Sequence, residues 1–196
     1  MDMNELITDG KIRLRELEES DKPILLKWLT DERILNFWEG KSAVFDIDRI
    51  NAQYYCKEEV EAIRAIIEFE GQSIGYVHMY NLDKTLMEEY EYPTTDKVVY
   101  GIDQFIGESE FWNRGIGTGF MKLVLKYLTD EKHADIVILD PHADNPRAIR
   151  CYEKVGFKEF GRQRQSRFVN GKYYDTIHMD ILKSEFKNSF IKNKNI

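Results

Sequence analysis

A single mixed α/β domain is what the sequence predicts, and three observations predict it. The 196 residues are 42% hydrophobic and 32% charged, enough apolar mass for one full core and too little for two. Segments that alternate at period two are interleaved with segments whose apolar residues recur at i, i+3, i+4 and i+7. One short run, Ile136–Leu139, is apolar at every position, the pattern of a strand covered on both faces. No apolar run approaches the roughly 20 residues of a membrane span. The first 20 residues are charged throughout and carry no signal-peptide core, so a cytoplasmic protein is expected.

The elements follow in order. Residues 11–17 alternate as a strand, and Ser20-Asp21 ahead of Pro23 gives a capped start to an amphipathic helix. A second helical stretch is expected over 47–59, after a loop holding Phe37, Trp38 and Gly40. Strands at 62–70 and 73–81 flank Glu70-Gly71-Gln72 in hairpin spacing. A long acidic loop then closes on a strand at 97–106. Phe120, Leu123, Val124, Tyr127 and Leu128 mark a helix with one buried face. After Ile136–Leu139, Asn145 is placed as an N-cap, Pro146 at the first helical position and Gly156 as the C-terminal stop. Strands at 157–161 and Lys172–Leu182 are expected around the turn Asn170-Gly171. The domain is expected to span 1–183, and 184–196 to be a polar, basic, frayed tail.

Charge narrows the partners. Of the net −7, residues 83–110 carry −6, from eight acids against two lysines. Such a field repels phosphate backbones, which argues against nucleic acid, and attracts cations. Tyr90, Tyr92 and Tyr100 lie in the same window, and aromatic faces among carboxylates suit a sugar ring or an organic cation. Cys56 and Cys151 form no CxxC pair and the four histidines are scattered, so neither a disulfide framework nor a zinc site is expected. His78 and His142 read as surface or packing residues and Cys151 as a small core residue.

The segment 113–118 (NRGIGT) joins a loop to the start of a helix. Glycines let backbone N–H groups turn toward an anion, the helix N-terminus adds partial positive charge, and Arg114 supplies a full one. Taken alone, it is equally a plain turn and helix cap. The loop has no Walker Lys-Ser/Thr and does not follow the first strand, so neither a P-loop nor a dinucleotide fingerprint is present.

Four phrases, SIGYVHMY (73–80), YGIDQFIGE (100–108), WNRGIGT (112–118) and ILDPHADNPRAIRCYEKVGF (138–157), resemble the GNAT superfamily of acyl-CoA N-acyltransferases, and within it the aminoglycoside 6′-N-acetyltransferases. The resemblance implies a central mixed, mostly antiparallel sheet flanked by helices, acetyl-CoA as cosubstrate with no metal, and antibiotic resistance as the outcome. In the family's Gln/Arg-x-x-Gly-x-Gly/Ala loop, Trp112 stands where Gln or Arg is usual. Trp112, Arg114, Gly115, Ile116, Gly117 and Thr118 are then expected around the pyrophosphate. Gln104, Phe105, Ile106, Asn145 and Ala148 are expected along the pantetheine, with β-strand backbone supplying the oxyanion donor.

Acyl transfer to an amine needs a group that takes the ammonium proton and one that protonates the leaving thiolate. Asp103 is the candidate base and Tyr152 the candidate acid, roles the resemblance implies for those positions. Tyr90, Glu91, Asp103 and Asp140 are expected to line a pocket for a small polycationic amine, Asp140 because it ends a buried strand, where α/β folds place ligand groups. No cysteine nucleophile is suggested, so direct transfer in a ternary complex is expected, by a monomer or homodimer with no membrane partner. Two alternatives remain open from sequence: a GNAT enzyme acylating a siderophore side chain or polyamine, and a non-enzymatic acyl-CoA-binding sensor.

Overall fold

The computed structural model describes residues 4–41, 43–55 and 62–192. Eight strands form one sheet in the order β1-β2-β3-β4-β5-β6-β8-β7. They are β1 Glu5–Thr8, β2 Ile12–Glu16, β3 Ile63–Phe69, β4 Gln72–Asn81, β5 Val99–Ile106, β6 Ile136–Leu139, β7 Lys158–Val169 and β8 Lys172–Leu182. Every neighbouring pair is antiparallel except β5 and β6, which are parallel. Their crossover is α5, Ile116–Asp130. This is the mixed, mostly antiparallel sheet that the sequence implies.

Helices cover both faces. On one lie α5 and α6 (Pro146–Val155), whose apolar stripes meet Leu14, Val77, Ile102, Val137 and Met179. On the other, α1 (Lys22–Leu29), α2 (Glu32–Leu35) and α3 (Ile47–Tyr54) enclose Ile66, Tyr76 and Phe105, while α4 (Lys84–Glu89) covers Val99, Ile136 and Ile138. The four residues of β6 therefore divide between two cores, Val137 and Leu139 facing one and Ile136 and Ile138 the other, which is why no alternation is visible there.

Several expectations change. The acidic window is not all loop. Asp83 accepts a hydrogen bond from Leu86 N and starts α4, which buries Met87. Strand β7 runs well past Gly161 to Val169, and Lys183–Lys192 is helix α7 rather than a frayed tail, with Phe186 buried in the core. Ahead of α1, Asp21 makes no side-chain cap for the helix and instead holds Arg15 by two contacts of 2.7 Å. The second helix is observed as Ile47–Tyr54; residues 56–61, with Cys56, and 193–196 lie outside the described residues.

Candidate active site

The site begins where the parallel pair separates. Strand β5 pairs with β4 along its length, from Gly75↔Ile106 to Asn81↔Tyr100, but with β6 only at Val99, Tyr100 and Gly101. Beyond Gly101 the two strands splay. Gly107 N donates to Ile74 O, and hydrogen-bonding direction alternates along an antiparallel strand. Gln104 and Ile106 therefore turn their N–H and C=O groups away from β4, into the gap. That edge is a ready partner for an extended amide chain.

At the wide end of the gap, α5 starts from Gly115, which is left-handed with φ 79°. Its Cβ position is open, so glycine is required there by dihedral rather than by space. The first intrahelical bond runs from Gly119 N to Gly115 O, which leaves the N–H groups of Ile116, Gly117 and Thr118 without intrahelical acceptors. Gly117 allows close helix packing: a Cβ there would sit 3.3 Å from Cys151 Sγ on α6, so the neighbour would have to give by a few tenths of an ångström. An anion is well matched to this end of α5.

A cleft of about 740 Å³ runs through the gap, and most of the expected residues line it: Asp103, Gln104, Phe105, Ile106, Trp112, Gly115, Gly117, Thr118, Asp140, Asn145, Ala148 and Tyr152. Asn145 caps α6, accepting from Ala148 N at 3.2 Å. Tyr152 is buried, and its hydroxyl oxygen accepts a hydrogen bond from Gln104 Nε2. Burial raises the Tyr152 pKa, so the phenol keeps its proton at neutral pH. Burial likewise raises the thiol of Cys151, which touches Thr118 at 3.6 Å, so this cysteine is a poor nucleophile.

Three expected residues sit elsewhere. The Arg114 side chain is exposed, lies over Phe111 at 5.2 Å and does not line the cleft. The Ile116 side chain belongs to the core, so only its backbone N–H faces the loop. Glu91 is exposed just after α4, with φ 52°, and lines neither this cleft nor the one described next. Trp112 donates its indole N–H to Ile106 O at 2.8 Å, so what it presents is its ring face, under the Arg147 guanidinium at 3.8 Å. Arg147, unforeseen from sequence, is thereby held as one of several cations lining the cleft, with Arg150 and Lys154 among the others.

A second cleft, of about 840 Å³, opens beside α4 and is lined by Tyr80, Asp83, Glu89, Tyr90 and His178 among others. The two clefts share four residues: His78, Asp103, Asp140 and Arg167. The His78 ring packs against Tyr80 at 4.9 Å, as expected of a packing residue, and its Nδ1 lies 3.7 Å from Asp103 Oδ2. Asp140 accepts from Arg167 Nη2 at 3.2 Å and meets Tyr90 Oη at 3.5 Å; Tyr90 in turn bonds Tyr80 at 2.8 Å. Burial and the charge of Asp103 push the Asp140 carboxyl up to about 6, against the opposing pull of Arg167. His142, also expected at the surface or in packing, is buried against Tyr174. Trp38 and Tyr54, joined by a 2.9 Å hydrogen bond, wall the first cleft on the α1–α3 side. The only sequence signal for Trp38 was its place in a loop.

Comparison with known proteins gives the family and the fold. A family profile described as an acetyltransferase (GNAT) domain matches residues 18–164. Aminoglycoside N(6′)-acetyltransferase type 1 of Klebsiella pneumoniae is 30% identical over 162 residues, covering 79% of this chain and 77% of that protein. Spermidine N(1)-acetyltransferase of Vibrio cholerae is 23% identical over 182 residues, covering 92% and 98%. A structure of AAC(6′)-Ib in complex with ribostamycin and coenzyme A superposes with a TM-score of 0.77 at 26% identity, covering 91% of this chain and 97% of that one.

Proposed function

Because the chain belongs to the GNAT acetyltransferase family, we propose that it transfers acetyl from acetyl-CoA to the 6′-amine of an aminoglycoside, and so confers antibiotic resistance. The observation that carries this reading is the meeting of two clefts at a pair of carboxylates, Asp103 and Asp140. One cleft offers backbone donors for an acyl-CoA, the other acids and phenols for a cationic sugar. The 30% identity to an aminoglycoside N(6′)-acetyltransferase supports the choice of acceptor.

The residues divide the work as follows. The free N–H groups at the start of α5 bind the pyrophosphate, with Arg147 beside them on its indole shelf. The outward N–H and C=O of Gln104 and the N–H of Ile106, whose carbonyl is held by Trp112, pair with the pantetheine amides, and an N–H on that edge faces the developing oxyanion. Acetyl-CoA supplies an activated carbonyl and a thiolate leaving group. Asp103, on the same strand, takes the ammonium proton so that a neutral amine attacks, while Asp140 anchors the charged ring system. Gln104 donates to the Tyr152 oxygen and leaves the phenolic proton free for the departing sulfur. With Cys151 protonated and packed against α5, transfer is direct, and both substrates are held together.

Thiol release from acetyl-CoA at neutral pH tests this, with kanamycin, spermidine and an N-hydroxylysine as acceptors. Saturable release that is fastest with kanamycin is expected. Faster release with spermidine moves the reading to the polyamine acceptor of the Vibrio relative, and silence with all three, alongside acetyl-CoA binding, favours a sensor.

A further inference from the structure

Strand β7 carries an irregularity that aims one side chain at the cleft junction. Between the pairs Gln163↔Thr176 and Arg167↔Tyr174 four steps on β7 answer two on β8, and Gln165 is left-handed with φ 54°. Past this bulge, Arg167 reaches Asp140 with Nη2 at 3.2 Å from Oδ2. The partners are unequal. The Asp140 side chain is only 14% exposed and sits at the end of a buried strand, whereas Arg167 is 57% exposed at the tip of a long flexible stem. Arg167 also lines both clefts, so its guanidinium stands in the passage between them.

The other groups facing Asp140 sharpen the point. Asp103 and His78 approach from β5 and β4, Tyr90 from beyond α4, and His178 from β8. Arg167 is the cation paired with Asp140 among the described residues, and the charge of Asp103 also bears on that carboxylate, at the place where an acceptor ammonium would sit. A guanidinium already on Asp140 is a cation in the acceptor's place. It can swing into water, because most of it is there already, while Asp140 cannot move.

We propose that Arg167 is a resident counter-ion of the acceptor site, displaced from Asp140 by an incoming ammonium, and that it sets the site's preference for acceptors with several positive charges. This rests on the polycationic-acceptor reading above. A monocation exchanges one charge for another and gains little. A polyamine or amino sugar replaces the guanidinium on Asp140 and keeps further ammonium groups for Asp103, Asp83 and Glu89, so only it recovers more than it displaces.

The test compares wild type with Arg167→Gln, Arg167→Lys and the double variant Arg167→Gln/Asp140→Asn. Arg164→Gln serves as a control, an exposed cation on the same strand that lines neither cleft. Arg167→Gln is expected to lower the KM for kanamycin about fivefold with kcat within about twofold, and to narrow the preference for kanamycin over a monoamine. Arg164→Gln keeps the wild-type KM, Arg167→Lys, which retains a cation, shows a smaller gain than Arg167→Gln, and in the double variant the gain disappears. An unchanged or raised KM in Arg167→Gln overturns the proposal, since Arg167 would then hold Asp140 in place or contact the acceptor itself. If wild type and variant both release no thiol with kanamycin or spermine, the acceptor reading fails, and calorimetric titration of spermine decides the remainder. Tighter spermine binding by Arg167→Gln than by wild type upholds displacement; equal or absent binding rejects it.

Discussion

The two clefts are built by different means. The one along β5, α5 and α6 takes its binding groups for the cosubstrate largely from main chain, a splayed strand edge and a helix N-terminus freed by a left-handed Gly115, within walls that include Trp38, Tyr54 and Trp112. The one beside α4 is made of side chains brought together from β4, β5, α4, β7, β8 and Asp140 just after β6. Backbone geometry suits a constant ligand and is written in short motifs. Assembled side chains suit a variable ligand and can change one at a time without disturbing the fold. The first cleft is therefore expected to be tolerant of side-chain changes outside its glycines, and the second sensitive to single charges.

The largest effect expected is at the junction. Asp103→Asn should lower kcat/KM for the acceptor by about 10²–10⁴-fold, and Tyr152→Phe by much less, if removal of the ammonium proton limits the rate. Equal, small losses in steady-state thiol release would break the assignment of base and acid. Asp140→Asn should raise the acceptor KM about tenfold and leave that for acetyl-CoA in place.

The same substitution carries a pH signature. Asp140 has its folded pKa raised from 3.8 to about 6, so its contribution to stability is present below about pH 4 and is lost as pH rises through 6. An asparagine is neutral throughout. Asp140→Asn should thus gain about 3 kcal/mol at pH 8, a Tm increase of about 9 °C by calorimetry, and nothing at pH 4. A lower Tm at pH 8 would mean that the Arg167 pair outweighs the burial of the charge.

On the main-chain side the effects are smaller and fall on the other substrate. Gly115→Ala forces a side chain into the left-handed region at φ 79° and should raise the acetyl-CoA KM about fivefold without moving the acceptor KM. Trp112→Phe keeps the shelf under Arg147 but loses the bond to Ile106 O, and about a twofold rise is expected. A change in acceptor KM of that size in either variant would blur the division between the clefts.

This division also explains what was legible in the sequence. The loop at 113–118 and the segment Asn145 to Gly156 are local, and each glycine, cap and proline does in the fold what its spacing implies. Asp103 and Asp140 could be picked out because each lies beside such a segment. His78, Arg147 and Arg167 could not, because their meaning comes only from the long-range pairing that brings β4, α6 and β7 to one point. Strand β7 was under-read for a related reason. It is an edge strand exposed along most of its length, so no hydrophobic alternation marks it. Helix α4 is six residues inside an acid-rich stretch, where composition outweighed the Asp83 cap and the single buried Met87.

In the proposed reaction both substrates occupy adjoining clefts at once, and acetyl passes directly from one to the other beside Asp103. Initial rates measured with acetyl-CoA and kanamycin varied together test it. Intersecting double-reciprocal lines are predicted, as for a ternary complex. Parallel lines would overturn it, because they require an acetylated enzyme and hence a nucleophile that the half-buried Cys151, its thiol pKa raised, does not provide.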